Sequence, residues 1–512
     1  MRTSLASACL ALLGAARLAT ALLPVSVKDN MFVDYNGDPF VVVGVDYQPG
    51  GSSGYTNSAS SDVLSEEDAC LRDAYLLQKL GVNTIRVYTA PGLTTTPWLN
   101  HDACMSIFNA VGIYVILDVN SPLGGESISR GDPSSSYNEG YLKRVFSIVD
   151  AFMGYSNLLG FFAGNEIVND AASAAVSPPY IRAVQRDIKN YIALHANRTI
   201  PVGYSAADAN SLRLAGWEYL QCGGEEDTDS DIYISRSDFY GLNSYQWCSG
   251  ISTWETSGYG TLVSTFANSS IALFFSEFGC NTDTPRTFTE INGGVYTEKM
   301  MAVFDGGLVY EYSEEDNSYG LVSIDSDGSV TLKDDYANLQ SAYANMTYSD
   351  FISDSLINNA TSPTCNATYI ESIDSDFNAT FTLPDCPAES MLKSGSGNNN
   401  IGKWIKLNST QTSYSIYDTD GNEISDTEID VVSDQTVPDY SSDSSSSVSS
   451  STTAKATATS ASSSSSASAS ASATTTAASS SSTAAAPGSI YYSGGTSWAI
   501  SFASLFMAMF AL

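Results

Sequence analysis

Histidine is almost missing from this 512-residue chain: only His101 and His195 occur, far apart, and no C-x-x-C is present. A zinc site draws on Cys and His at close spacing, so none is expected. No other metal and no cofactor is called for, and both histidines fall in helix-like stretches that suit surface or capping positions. Positive charge is scarce too. Lys and Arg number 22 against 56 Asp and Glu, a net charge of −34. That is the wrong sign for nucleic acid or an anionic membrane surface. No G-x-G-x-x-G follows the first apolar run, which removes the usual support for a doubly wound nucleotide-binding sheet. Long apolar runs are lacking as well. Trp498–Leu512 is uncharged but short of the roughly 20 residues a membrane helix needs.

The two ends carry signals instead. Arg2, the apolar run Leu5–Leu13 and Ala19-Thr20-Ala21 read as a secretory signal cleaved near Ala21. At the other end the small residues Ala484, Ala485 and Ala486 precede a polar spacer and the apolar tail, the ingredients of a GPI-anchor signal; Ser493 is an alternative attachment residue. Residues 440–483 are nearly pure Ser, Thr and Ala, which cannot bury enough apolar surface to fold, so a disordered stalk is expected there. The predicted organisation is a signal over 1–21, a folded domain over 22–340, and a C-terminal extension over 341–439 partly packed on it. A stalk over 440–486 and an anchor propeptide over 487–512 follow. Secretion makes the cysteines readable as disulfides, with Cys9 leaving with the signal and one of the rest left over. It also makes the sequons at Asn197, Asn268, Asn345, Asn359, Asn366, Asn378 and Asn408 candidate glycosylation sites.

Between residues 40 and 312 eight short continuous apolar runs recur: 40–48, 83–89, 113–119, 158–166, 200–206, 239–246, 272–279 and 306–312. Continuous rather than alternating runs fit strands buried on both faces. The intervals hold helix patterns. One has Ser65 as N-cap, an acidic first turn and Gly81 as stop; another is YIRAVQRDIKNYIALH. Strand–helix alternation repeated this often predicts an α/β fold, a (β/α)8 TIM barrel. Beyond it, KWIKL and TSYSIYD look like short β pieces.

A barrel's active site lies at the C-terminal ends of its strands. Two glutamates each close an apolar run there: Glu166 in FFAGNE and Glu277 in SEFG, on the fourth and seventh runs. Glycoside chemistry needs such a pair, one to protonate the leaving oxygen and one to attack the anomeric carbon or activate water. Tyr88, Tyr245, Tyr310 and Trp247 stand nearby in sequence and suit stacking on sugar rings; Tyr245, Trp247 and Tyr310 are candidates for the acceptor side. A plain ion pair of these glutamates with Arg86 or Arg182 is the bland reading of the same residues. Gly50-Gly51-Ser52-Ser53-Gly54 spells a nucleophile elbow, but no helix pattern follows it.

Taken together, VDYQPGG, RVYTAPG, YVILDV, FFAGNE, GLNSYQWC, SEFGC and GLVYEY resemble the fungal GPI-anchored 1,3-β-glucanosyltransferases, glycoside hydrolase family 72. The resemblance implies cleavage of an internal 1,3-β-glucan bond and transfer of the new reducing end to the nonreducing end of another glucan. Glu166 would be the acid/base and Glu277 the nucleophile. Tyr88, Asn165, Asp208, Arg213, Tyr245 and Tyr310 would bind substrate, with Gln48 and Asp118 as supporting members. It implies donor and acceptor glucan chains as partners, and a protein held at the outer face of the plasma membrane or passed to the cell wall. It implies the disulfides Cys70–Cys104 and Cys248–Cys280, and Cys222 with Cys365 or Cys386. Only Cys365 and Cys386 follow the barrel, so the family's cysteine-rich C-terminal module is absent. A hydrolytic endo-1,3-β-glucanase and a non-catalytic wall protein are the alternatives.

Overall fold

The apolar runs pair side by side. In the computed structural model, which describes residues 22–432 except 53, 57, 59, 60, 92–99, 225–229 and 399, an antiparallel hairpin comes first: β1 (Ser26–Lys28) and β2 (Met31–Val33). The eight runs then form β3 (Val42–Asp46), β4 (Thr84–Val87), β5 (Tyr114–Asp118), β6 (Leu158–Asn165), β7 (Val202–Ala207), β8 (Phe239–Asn243), β9 (Ala272–Phe278) and β10 (Gly306–Val309). Each is parallel to its neighbours and β10 returns to β3, closing the barrel. The chain is a (β/α)8 TIM barrel. The signal, the stalk and the attachment candidates Ala484–Ala486 and Ser493 lie outside the described residues.

The barrel interior is layered by polarity. Its lower part holds Val42, Ile116, Leu159, Phe162, Ala272 and Leu308. The hairpin closes that end: Phe32 packs on Phe239 and Phe274 at 5.6 and 5.5 Å between ring centroids. Close strand approach demands small residues, and a Cβ on Gly203 would meet the Phe239 carbonyl oxygen at 2.3 Å. The upper part, at the C-terminal strand ends, holds polar side chains.

The helix Glu67–Leu80 ends as expected, with Gly81 at φ +81. Its N-cap is Glu66, not Ser65. The Glu66 carboxylate accepts from the Asp68 and Ala69 amides, while the Ser65 hydroxyl turns back to the Asp62 carbonyl. The second pattern forms the helix Pro178–His195. His101 takes a capping position, the N-cap of the helix Asp102–Ala110, but its side chain makes no cap bond: it is buried, bonded to Asp62 at 2.7 Å and stacked on Phe152.

After β10 a small sheet follows, with β11 (Val322–Ile324), β12 (Val330–Leu332) and β13 (Ile416–Tyr417). From residue 345 the chain wraps the helical layer. KWIKL is not a strand, because the Lys403 and Ile405 amides bond side chains of the helix Asp102–Ala110 (Asp102 Oδ1 and Ser106 Oγ) rather than a neighbouring strand. Cys70–Cys104 joins two barrel helices and Cys248–Cys280 two mouth loops; Cys222–Cys365 ties the wrapping segment down, leaving Cys386 unpaired. Of the sequons, Asn197, Asn268, Asn345, Asn359, Asn366 and Asn408 are exposed, and Asn378 is half-buried.

Candidate active site

The polar upper layer is organised by one arginine. Arg86, fully buried on β4, has five N–H groups, and all are engaged. Nε and Nη2 reach the two oxygens of Asp118 at 2.9 and 3.3 Å. Nη1 reaches the Ser276 carbonyl at 3.1 Å and Glu277 Oε1 at 3.2 Å. Nη2 also reaches Asn165 Oδ1 at 3.0 Å. The ion pair of a glutamate with Arg86 therefore exists, and it is part of the site. Arg182 is elsewhere, buried against Ser235 and the Tyr219 carbonyl.

Glu277, at the end of β9, is held by three donors. Besides Arg86, the Tyr88 hydroxyl donates to Oε1 and the Tyr245 hydroxyl to Oε2, each at 2.9 Å. Burial raises this carboxyl above the ordinary range, and Arg86 and the two phenols oppose the rise. Their opposition keeps an anion attainable in a buried setting, with its lone pairs fixed in direction.

Glu166 has a different setting. It follows the last residue of β6 with φ +48, a left-handed conformation uncommon outside glycine. Its amide bonds the Ser205 carbonyl at 2.8 Å, which turns the side chain inward. Asn243 Nδ2 donates to its Oε1 at 3.0 Å. The carboxyl reaches solvent through the cleft yet is ringed by protein. Burial, and then the charge of Glu277, push it up to about 7. Two carboxyls thus share one cleft: Glu166 holds a proton near neutrality, and Glu277 accepts three hydrogen bonds.

Asn243, at the end of β8, links them, and the sequence analysis did not single it out. Its Nδ2 also donates to Asn165 Oδ1 at 3.1 Å, and its Oδ1 accepts from Ser205 and Ser276. Since Arg86 and Asn243 both donate to Asn165 Oδ1, the Asn165 amide nitrogen is the end left to face the cleft, where it can donate to a ligand. Asp118 stands behind Arg86, 2% exposed. Gln48 is buried as well, its Oε1 accepting from the Tyr88 and Thr89 amides. Asp208 receives Arg213, Gln246 and, at 2.7 Å, Ser244.

Tyr310 lies edge-on to Tyr88, Tyr245 and Tyr319, an aromatic wall of which sequence reasoning missed Tyr319. Trp247 is not on that wall. It is 4% exposed, packs on Tyr259 and donates to Thr289. His101 and His195 contribute nothing to the cleft; His195 bonds the Leu392 carbonyl at the far end of its helix.

Residues 15–347 match the glucanosyltransferase family model of glycoside hydrolase family 72. The chain belongs to that family. It is 51% identical over 405 residues to a probable 1,3-β-glucanosyltransferase of Saccharomyces cerevisiae, GAS3, covering 75% of each chain. It is 46% identical to the 1,3-β-glucanosyltransferase gel2 of Aspergillus fumigatus over 81% of this chain and 85% of the relative. Among solved structures it resembles Saccharomyces cerevisiae Gas2p in complex with laminaritriose and laminaritetraose. That match has a TM-score of 0.59 at 36% identity, covering 72% of this chain and 78% of that one. In this member of the glucanosyltransferase family the two cleft glutamates are joined by hydrogen bonds that run from Glu277 through Arg86, Asn165 and Asn243 to Glu166.

Proposed function

We propose that this chain is a retaining 1,3-β-glucanosyltransferase in which Glu277 is the nucleophile and Glu166 the acid/base. The carrying observation is the split between the two carboxyls. Glu166, raised to about 7, holds a proton for the leaving oxygen at acidic and neutral pH. Glu277, aimed by Arg86, Tyr88 and Tyr245, attacks the anomeric carbon. As the glycosyl-enzyme forms, the Glu277 charge disappears and with it one cause of the raised Glu166 value. Glu166 then ionises more readily and takes the proton of the incoming hydroxyl. An acceptor sugar can beat water because a bound hydroxyl gains an effective concentration far above that of a free one. Tyr310, half-buried on the aromatic wall, is the candidate stacking surface for it, while the Tyr245 ring is committed to Glu277. Asn165 through its amide nitrogen, and Asp208 with Arg213, are substrate-binding groups in this reading.

The reading extends to a secreted enzyme carried on a GPI anchor at the outer face of the plasma membrane. The end signals and the Ser/Thr/Ala-rich segment support it; among the described residues no helix is long and apolar enough to cross a membrane. The domain limits 22–340 and 341–439, and occupancy of the sequons, belong to the same reading.

The test uses Glu166→Gln and Glu277→Gln with a laminari-oligosaccharide and with an activated glycosyl fluoride. Glu277→Gln loses both activities. Glu166→Gln loses cleavage of the natural bond but still forms a covalent adduct on Glu277 from the fluoride. Labelling of Glu166 reverses the roles. Products longer than the starting oligosaccharide mark transfer, and shorter ones alone mark the hydrolase.

A further inference from the structure

Asp46 is a carboxyl of the cleft floor that the mechanism above leaves unused. It ends β3 opposite Arg86 of β4 in the strand register, and is completely buried. Neither of its oxygens has a hydrogen-bond partner among the described residues. Such an orphan is costly as an anion. The nearby cation cannot give it a hydrogen bond, since every N–H of Arg86 is already taken by Asp118, Asn165, Glu277 and the Ser276 carbonyl. The hydroxyl within its reach is that of Tyr88, and that hydroxyl has already given its proton to Glu277 Oε1 at 2.9 Å. A phenol whose proton is committed can still accept one.

We propose that Asp46 is a positioning residue kept as the neutral carboxylic acid, donating its proton to the Tyr88 oxygen so that the Tyr88 O–H stays aimed at the nucleophile Glu277. The proposal rests on Glu277 being that nucleophile. The chain Asp46–Tyr88–Glu277 gives each group one role: donor, relay, acceptor. Polarising the phenol from behind strengthens its bond to the carboxylate. An ionised Asp46 would instead compete for the Tyr88 proton, and Glu277 would lose one of its three donors.

The groups facing Asp46 act on it in both directions, and its burial decides for the neutral form. Arg86 and Tyr88 face it from β4, Glu277 from β9 and Glu311 from the end of β10, with Tyr245, Tyr310 and Tyr343 within electrostatic reach. Burial pushes the Asp46 carboxyl well above the usual range against the pull of Arg86 and, more weakly, of the Tyr88 hydroxyl, and the charges of Glu277 and Glu311 add to the rise.

The test is the rate of covalent labelling of the full enzyme by a 2-deoxy-2-fluoro glycosyl fluoride, followed by intact mass across pH, in wild type, D46N and D46A. The fluoride leaves without a proton from Glu166, so that group's titration drops out. Wild-type labelling should be full at acidic pH and fall at alkaline pH as Asp46 ionises. D46N has nearly the same shape and a permanent donor, so it should label at close to the acidic wild-type rate with that alkaline fall removed. D46A should label roughly tenfold more slowly at every pH, the rate equivalent of losing one charge-assisted hydrogen bond. A D46N profile that keeps the wild-type fall, or D46N as slow as D46A in a protein of unchanged melting temperature, overturns the proposal alone. If D46A does not fold, the comparison of D46N with wild type still decides. Labelling of a carboxyl other than Glu277 in wild type overturns the nucleophile assignment, and this proposal with it.

Discussion

Asn243→Asp changes one atom type at the point where the two cleft carboxyls are linked, and its outcome can be worked through. One oxygen of the new side chain can still accept from Ser205 and Ser276 as Asn243 Oδ1 does, so that side of the network survives. The other replaces an amino group that now donates to Asn165 Oδ1 and to Glu166 Oε1 at 3.1 and 3.0 Å. It would present an acceptor to two acceptors. Two carboxylates about 4 Å apart repel by ~4 kcal/mol at an effective dielectric near 20, equivalent to roughly a thousandfold in proton affinity. The new pair therefore holds a shared proton to higher pH than Glu166 does now. Glu166 titrates at about 7 in the native site. The alkaline limb of kcat/KM for laminari-oligosaccharide cleavage should then move up by about one pH unit or more. The plateau should drop by about tenfold because Asn165 and Glu166 each lose a donor. Initial rates across the pH range, with melting temperature as the check on folding, measure both. An unmoved limb in a folded variant would refute the idea that Asn243 sets the proton affinity of Glu166.

Three further outcomes follow from the same geometry. Tyr245→Phe removes one donor from Glu277 without opening a cavity, so labelling of Glu277 by a glycosyl fluoride should slow by roughly tenfold; an unchanged rate would show that the bond does not steer the nucleophile. Cys222→Ala with Cys365→Ala opens a link between residues 143 apart, worth about 5 kcal/mol on the chain-entropy account, and should lower the melting temperature; a melting temperature equal to wild type would count against it. Melting temperature should also fall between about pH 5 and 8. Burial raises Glu166 to about 7 and Glu311 to about 8, above the ordinary 4.5. The folded state therefore binds protons more tightly than the unfolded chain, and that stability, complete below the ordinary value, is lost as pH rises through the raised ones. Calorimetry showing the opposite slope would mean these carboxyls are solvated in the folded protein.

The strands were legible because each barrel strand is buried on both faces, which writes a continuous apolar run into local sequence. Glu166 and Glu277 were legible for the same reason: a charge at the end of such a run marks the level where the core stops. Local pattern could not say which side chains meet inside a closed barrel. That depends on closure and register, and the ladder between β8 and β9 shifts between Gly241 and Asn243 before pairing Asn243 with Glu277. The shift places Asn243 between the two glutamates, and closure brings Arg86 from β4 within reach of β5, β6 and β9. Trp247 misled because an aromatic beside a strand end can turn toward the cleft or away from it; packing on Tyr259 settled the direction. The partner of Cys222 lay beyond the sequence because 143 residues separate it from Cys365, and only the path of the wrapping segment brings one candidate, rather than the other, to it. By itself the sequence determined where charge interrupts the core. The tertiary structure decided which charges share a donor, because the bonds that Arg86, Tyr88, Asn243 and Tyr245 make to Asp118, Asn165, Glu166 and Glu277 join residues that chain position alone leaves far apart.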